Sequence, residues 1–174
     1  MARLGCSCGA VMSTVDCPSP YIYHIFTQDE VDTALSQSPD CPFWDFYTNW
    51  DSQKNEKRLF TSEEYTFWYC TACGRMYQVQ AKPQGRWVKK YRMSSDNLFP
   101  ANIDNANRKR LYIYSDIDVE QITEENFNIK LRDFINHKRH IHDFYISPDS
   151  ATVLICDKKS GAIVKVYLLE ESIE

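Results

Sequence analysis

Apolar and polar positions change rhythm several times along the chain, and each change marks an element. Tyr21-Ile22-Tyr23-His24-Ile25-Phe26 is dense in aromatic and β-branched residues and reads as a strand. Thr27-Gln28-Asp29-Glu30 then forms a capping-box pattern, in which Thr27 accepts from an early backbone N–H and Glu30 reaches back to the cap. Val31, Ala34 and Leu35 give the helix that follows an i, i+3, i+4 apolar face, and Ser38-Pro39-Asp40 ends it. The run from Cys41 to Trp50 concentrates aromatics with no clean period; such runs occur in cores and at partner surfaces, and the core is the commoner place. Asp51 to Arg58 is a polar loop. Tyr65 to Tyr69 and Met76 to Gln80 return to strand, and after the turn Lys82-Pro83-Gln84-Gly85 the run from Arg86 to Met93 completes a β-hairpin.

Residues 94–107 are rich in turn formers and read as a linker. Beyond it the pattern returns. Residues 113–120 lie over 25–32 without a gap, Ile117 against Asp29 being the plain mismatch; residues 144–150 lie over 67–73, and 161–167 over 85–91. The order strand, capped helix, strand, turn, hairpin thus occurs twice. Where the first copy has Cys70 and Cys73, the second has Ser147 and Ser150, so its turn Ser147-Pro148-Asp149-Ser150 relies on hydrogen bonds. Phe127, Leu131, Phe134 and Ile135 are expected to give this half a second helix with an apolar stripe.

The cysteines give the first half its chemistry. Cys6-Ser7-Cys8-Gly9 and Cys70-Thr71-Ala72-Cys73-Gly74 are close-set pairs, each followed by a glycine that permits the tight turn aiming both thiolates at one ion. Together they supply the ligands of a closed tetrahedral structural zinc site. Loop closure between the pairs costs little compared with the roughly 10 kcal/mol that such a site contributes. Cys17 and Cys41, each followed by proline, are the possible substitutes, and Cys156 in Val153-Leu154-Ile155-Cys156 reads as a small core residue.

With 174 residues, 43% of them hydrophobic and 14% aromatic, the chain has enough apolar mass for a real core. A net charge of -4 argues against a general nucleic-acid binder and suits a basic partner. Seven cysteines in metal-like spacing favour a reducing compartment. With neither a leader-like apolar stretch nor a membrane-length one in view, the expected location is the cytoplasm, away from membranes.

A site closed by four cysteines keeps no coordination position for catalysis. The chain has no P-loop, H-E-x-x-H, G-x-S-x-G or H-x-E with P-C-x-x-C, so no enzymatic activity is expected. The run His137-Lys138-Arg139-His140-Ile141-His142 would put His140 and His142 on one face of a strand, yet reads as a solvated connection. Arg86, Lys89, Lys90, Arg92 and Arg108-Lys109-Arg110 could form a small nucleic-acid surface. Against that stand Asp116, Asp118, Glu120, Glu124, Glu125 and the acidic tail, which repel phosphate and suit docking on a basic protein cleft.

Residues 1–93 combine the paired knuckle cysteines with Trp68-Tyr69-Cys70, Cys73-Gly74-Arg75-Met76-Tyr77 and a closing Val88-Lys89-Lys90-Tyr91 strand. In this they resemble small bacterial zinc-ribbon proteins, and the acidic chain without catalytic motifs is similar in type to immunity proteins of bacterial toxin systems. The resemblance implies a structural Zn2+ on Cys6, Cys8, Cys70 and Cys73. It also implies a protein partner, such as a basic toxin domain, bound by Asp116, Asp118, Glu120, Glu124 and Glu125 with Trp44 and Trp50. The expected architecture is α+β: a zinc-ribbon-like antiparallel module over 1–93, a linker over 94–107 and a degenerate metal-free copy over 108–174.

Overall fold

The computed structural model of the protein describes residues 3–51, 65–80, 86–94, 107–137 and 142–172, the side chains at 48–51, 65, 80 and 86 excepted. Most of the linker expected at 94–107, most of the polar loop at 51–58 and His140 lie outside the described residues.

Two strands, β1 (Arg3–Gly5) and β2 (Val11–Ser13), form a small antiparallel sheet. Eight more close into an antiparallel barrel: β3 (Ile22–Thr27), β4 (Tyr65–Tyr69), β5 (Met76–Gln80), β6 (Arg86–Met93), β7 (Lys109–Ser115), β8 (His142–Ile146), β9 (Thr152–Asp157) and β10 (Ile163–Ser172). Four helices complete the fold: α1 (Gln28–Gln37), α2 (Phe43–Asp51), α3 (Asp116–Glu125) and α4 (Leu131–Ile135). The protein is therefore α+β, with strands predominating.

The barrel consists of two meanders, β3–β6 and β7–β10, joined edge to edge where β3 pairs with β7 and β6 with β10. At the first seam Ile25 stands opposite Ile113; at the second Arg92 stands opposite Leu168. Within the meanders Tyr23 faces Phe67 as Leu111 faces Phe144, and Met76 faces Tyr91 as Val153 faces Tyr167. Closure leaves no unpaired barrel edge, which removes a site for aggregation.

Alternation along the strands separates interior from exterior. Ile25, Phe67, Met76, Tyr91, Leu111, Ile113, Val153 and Tyr167 fill the inside. On the outer face of β3 and β7, Phe26 and Tyr114 meet Phe43 and Phe46 of α2, Val119 and Ile122 of α3, and Leu131 and Phe134 of α4. Elsewhere on the outside, β1 and β2 lie over β4 and β5 through Leu4, Met12, Trp68, Tyr77 and Val79. Cys156, expected in the core, is buried with Leu154 and Val166.

Both helices that leave the β3·β7 seam begin at a side-chain cap. Thr27 accepts from the Glu30 N–H while Glu30 accepts from the Thr27 N–H, closing the capping box, and Ser115 accepts from the Asp118 N–H. The aromatic run without a visible period is α2: Phe43 and Phe46 point into the core, and Phe43 stacks on Phe134 with ring centroids 3.5 Å apart. One expectation fails. Phe127 belongs to no helical stripe; α3 ends at its C-cap Asn126, α4 begins only at Leu131, and Phe127 is 56% exposed.

Phe134→Ala empties the centre of the helical layer and should lower unfolding free energy by about 3–5 kcal/mol in a denaturant titration. Ile117→Ala, on the exposed side of α3, should stay within about 0.5 kcal/mol of the native chain.

Candidate metal centre and groove

Cys6 and Cys8 sit on the turn between β1 and β2, and Cys70 and Cys73 on the turn between β4 and β5. Each turn is closed by backbone hydrogen bonds, Cys6 N–H to Ala10 and Gly9 N–H to Cys6 in one, Cys70 N–H to Arg75 and Gly74 N–H to Cys70 in the other. Gly9 (φ 91°) and Gly74 (φ 72°) take the left-handed conformation these turns need, as the sequence spacing requires. Packing of the small sheet on β4 and β5 then faces one turn to the other.

All four sulfurs lie within 4.8 Å of one another, with Cys6 Sγ 3.4 Å from Cys73 Sγ and Cys8 Sγ 3.7 Å from Cys70 Sγ. Metal–sulfur bonds of about 2.3 Å in a tetrahedron give sulfur–sulfur edges of about 3.8 Å. The residues fit a metal ion. The substitutes do not join the cluster: Cys17 is exposed elsewhere, and Cys41 packs beside the helical layer.

Neighbouring groups support negative charge on the sulfurs. Tyr77 Oη donates to Cys6 Sγ at 3.1 Å and itself accepts from the Ser7 N–H. Arg75 Nη1 donates to Cys73 Sγ at 3.6 Å, while its Nε donates to Glu170 at 3.1 Å. Burial opposes charge on Cys73, but the Arg75 N–H and guanidinium and the Cys6 and Cys8 thiols outweigh it and hold that thiol down at about 6. Burial pushes Cys70 up to about 12. A bound cation favours the thiolate at both.

A second feature lies between α2 and α3. A groove of about 350 Å³ is lined by Trp44, Tyr47 and Phe127 and by Asp116, Glu120 and Glu124. The rings brace one another, Trp44 lying 5.2 Å from Phe127 and 5.7 Å from Tyr47 between centroids. Its negative field registers on Cys17, which also lines it: the Glu120 carboxylate, then burial and Asp116, raise that thiol above its ordinary range.

Of the partner-contact residues expected from the sequence, Asp116, Glu120, Glu124 and Trp44 come together here. Asp118 turns back to Ser115 at the cap, Glu125 is exposed at the end of α3, and the Trp50 side chain lies outside the described residues. Sequence reasoning missed Tyr47, Phe127 and Cys17 as groove residues; the i, i+3 spacing of Trp44 and Tyr47 was the available signal for the first. Two of the basic residues are paired, Lys90 lying 3.1 Å from Glu171 and Arg110 2.6 Å from Asp143, and Lys89 is held below the usual lysine range by burial. Arg92 and Lys109 are exposed. Among the described residues of the histidine run, His137 follows α4 and His142 opens β8.

Asp116 also has a structural partner. Its Oδ1 lies 2.7 Å from His24 Nε2 and its Oδ2 accepts from the Ser19 N–H at 2.7 Å. An ionised carboxylate only accepts, so Nε2 carries the proton.

The family model for a domain of unknown function (DUF8617) matches residues 2–97, more than half of the chain, and the protein belongs to that family. The match spans both cysteine pairs and β1–β6. No curated protein and no solved structure matches the chain. Among the described residues no helix is long and apolar enough to cross a membrane.

Purified protein should carry one metal per chain by elemental analysis, Cys70→Ser should lose it, and Cys156→Ser should keep it. Metal should also be released as pH falls, because protons compete for the thiolates. Partial burial opposes charge on Asp116, but the bonds from His24 and Ser19 prevail and hold its pKa below the ordinary carboxylate value. A depressed folded-state pKa gives stability that is present above the unfolded value and lost as pH falls through the folded one. Asp116→Asn should therefore cost about 1–3 kcal/mol at neutral pH, a deficit that shrinks below about pH 4 when denaturant melts are compared.

Proposed function

We propose that this member of the DUF8617 family is a non-catalytic, zinc-stabilised binding protein of the cytoplasm that docks a basic protein partner in the α2–α3 groove. The partner we favour is a bacterial toxin domain, whose active cleft the protein covers as an immunity protein would. The observation carrying the reading is the convergence of Asp116, Glu120 and Glu124 with Trp44, Tyr47 and Phe127 on one concave surface. Carboxylates opposite aromatic faces attract lysine and arginine side chains by charge and by cation–π contact, and aromatic anchors supply most of the energy at such interfaces.

Zinc is the metal of choice for four cysteines at tetrahedral spacing, and a shell they fill leaves no place for a reacting water. That supports a structural role. The pairing of Lys90 and Arg110 with carboxylates favours a protein partner over nucleic acid.

The same reading treats 1–93 as a zinc-ribbon-like module and 108–174 as its metal-free copy. Supporting it, the residues aligned between the halves take equivalent ladder positions: Ile25 and Ile113 face each other at the β3·β7 seam, and the pairs of one meander recur in the other. Cys70 N–H bonds to Arg75 O as Ser147 N–H bonds to Thr152 O, and Asp149 with Ser147 ties the second turn through side chains.

The test begins with the protein fragment encoded beside this gene, purified and titrated against the chain. Expected is a salt-sensitive complex weakened about tenfold or more by Phe127→Ala and by Glu120→Gln, with growth rescued on co-expression by the native chain only. Equal binding by native and substituted chains, or binding to duplex DNA in place of the protein, would refute it.

A further inference from the structure

The α2–α3 groove leaves a separate concavity unexplained. At one end of the barrel the interior rows of side chains leave a cavity of about 300 Å³, bounded by Phe67, Phe144 and Ile155 among others. Deeper in the barrel the same interior is filled: Tyr91 and Val153 are fully buried and Leu111 nearly so. An eight-stranded barrel is wide enough to hold one small ligand. The volume lies at the small end of the range for ligand sites, about 300–1,000 Å³.

The cavity has a dry end and a polar end. Tyr167, 2% exposed, and Tyr69 line it, and Tyr23 sets its ring edge-on to Tyr69, 6.2 Å away. Val164, 46% exposed, and exposed Lys165 stand at its margin, so it opens to solvent beside a cation. His142 is at the same margin, and Lys158 joins it around an adjoining small cleft. No carboxylate lines the cavity among the described residues. Acids near its walls are engaged: Asp143, between His142 and Phe144, accepts from Arg110 at 2.6 Å, Asp157, opposite His142 in the ladder, accepts from Ser160 and Lys159, and Asp118, whose charge reaches Tyr23, accepts from Ser115.

We infer that the barrel mouth binds a small amphiphilic carboxylate, its apolar body among Phe67, Phe144 and Ile155 and its anionic head beside Lys165. The body displaces water from an apolar wall, and the head meets the ammonium with no competing lining carboxylate. This site shares no residue with the α2–α3 groove, so either assignment stands or falls alone.

Isothermal titration of the full metal-loaded chain with octanoate, and separately with octanol, tests it. Expected is saturable binding of one octanoate per chain, with octanol about tenfold weaker; Lys165→Ala, at an exposed position that folding does not need, should remove that preference. Ile155→Trp, which fills the cavity, should abolish binding of both, with circular dichroism confirming the fold, while Phe127→Ala in the other groove changes neither. Absence of saturable octanoate binding, equal affinity for octanol and octanoate in the native chain, a preference that survives Lys165→Ala, or undiminished binding by folded Ile155→Trp would each overturn the inference.

Discussion

Barrel closure is the constraint from which the rest of the molecule follows. Each four-stranded meander alone would leave two edges of unpaired N–H and C=O groups. Pairing β3 with β7 and β6 with β10 satisfies both sets at once. Closure also removes the interior faces from water together, so Tyr91 from one meander and Tyr167 from the other pack in one cluster. Neither half of the barrel has a complete core without its counterpart, and the exterior is left to be covered piecemeal.

That covering explains where the chemistry lies. Helices leaving the β3·β7 seam can only fold back over its outer face, where Phe26 and Tyr114 await burial, and this sets α2 beside α3. The groove between them exists because Phe43 and Phe46 turn inward while Trp44 and Tyr47, on the flank of the same helix, stay near its surface. Over β4 and β5, beside that seam, the cover is only the short β1–β2 sheet, a few residues per strand. Two strands of that length are not stable alone. Four cysteines placed to share an ion, with Tyr77 and Arg75 bonded to the sulfurs, would give this cover an attachment that its apolar area does not.

The sequence made some of this legible and hid the rest for physical reasons. Cysteine spacing with glycine named the cluster because ligand geometry is local: each pair needs one tight turn, and Gly9 and Gly74 both take positive φ. The capping box at Thr27 was equally local. The period of α2 was obscured because two different faces of the helix are aromatic, Phe43 and Phe46 for the core and Trp44 for the groove, so the residues reading as noise were two signals superposed. Phe127 failed for the opposite reason: its spacing from Leu131 and Phe134 imitates a helical stripe, but Asn126 ends α3 first and the ring is used against Trp44 instead. Barrel closure itself has no local signature, since the strands that meet at the β6·β10 seam are some 75 residues apart.

A difference between the ends of the barrel remains to be explained by the same physics. The two meanders pair in the same strand order and meet at Ile25·Ile113, but they carry different side chains towards the two ends of the barrel. Where the first half has Tyr69 beside its knuckle, the second has Ile146 beside its turn, and Tyr23 corresponds to Leu111. One end therefore has aliphatic residues where the other keeps Tyr23 and Tyr69 around a space. A Cβ added at Gly74 would lie 3.6 Å from the Tyr69 hydroxyl, so the ring lining that space also rests against the cysteine turn. The end of the barrel that stayed open is thus the one braced by the four sulfurs, and the wall of the cavity inherits whatever rigidity a metal gives that turn.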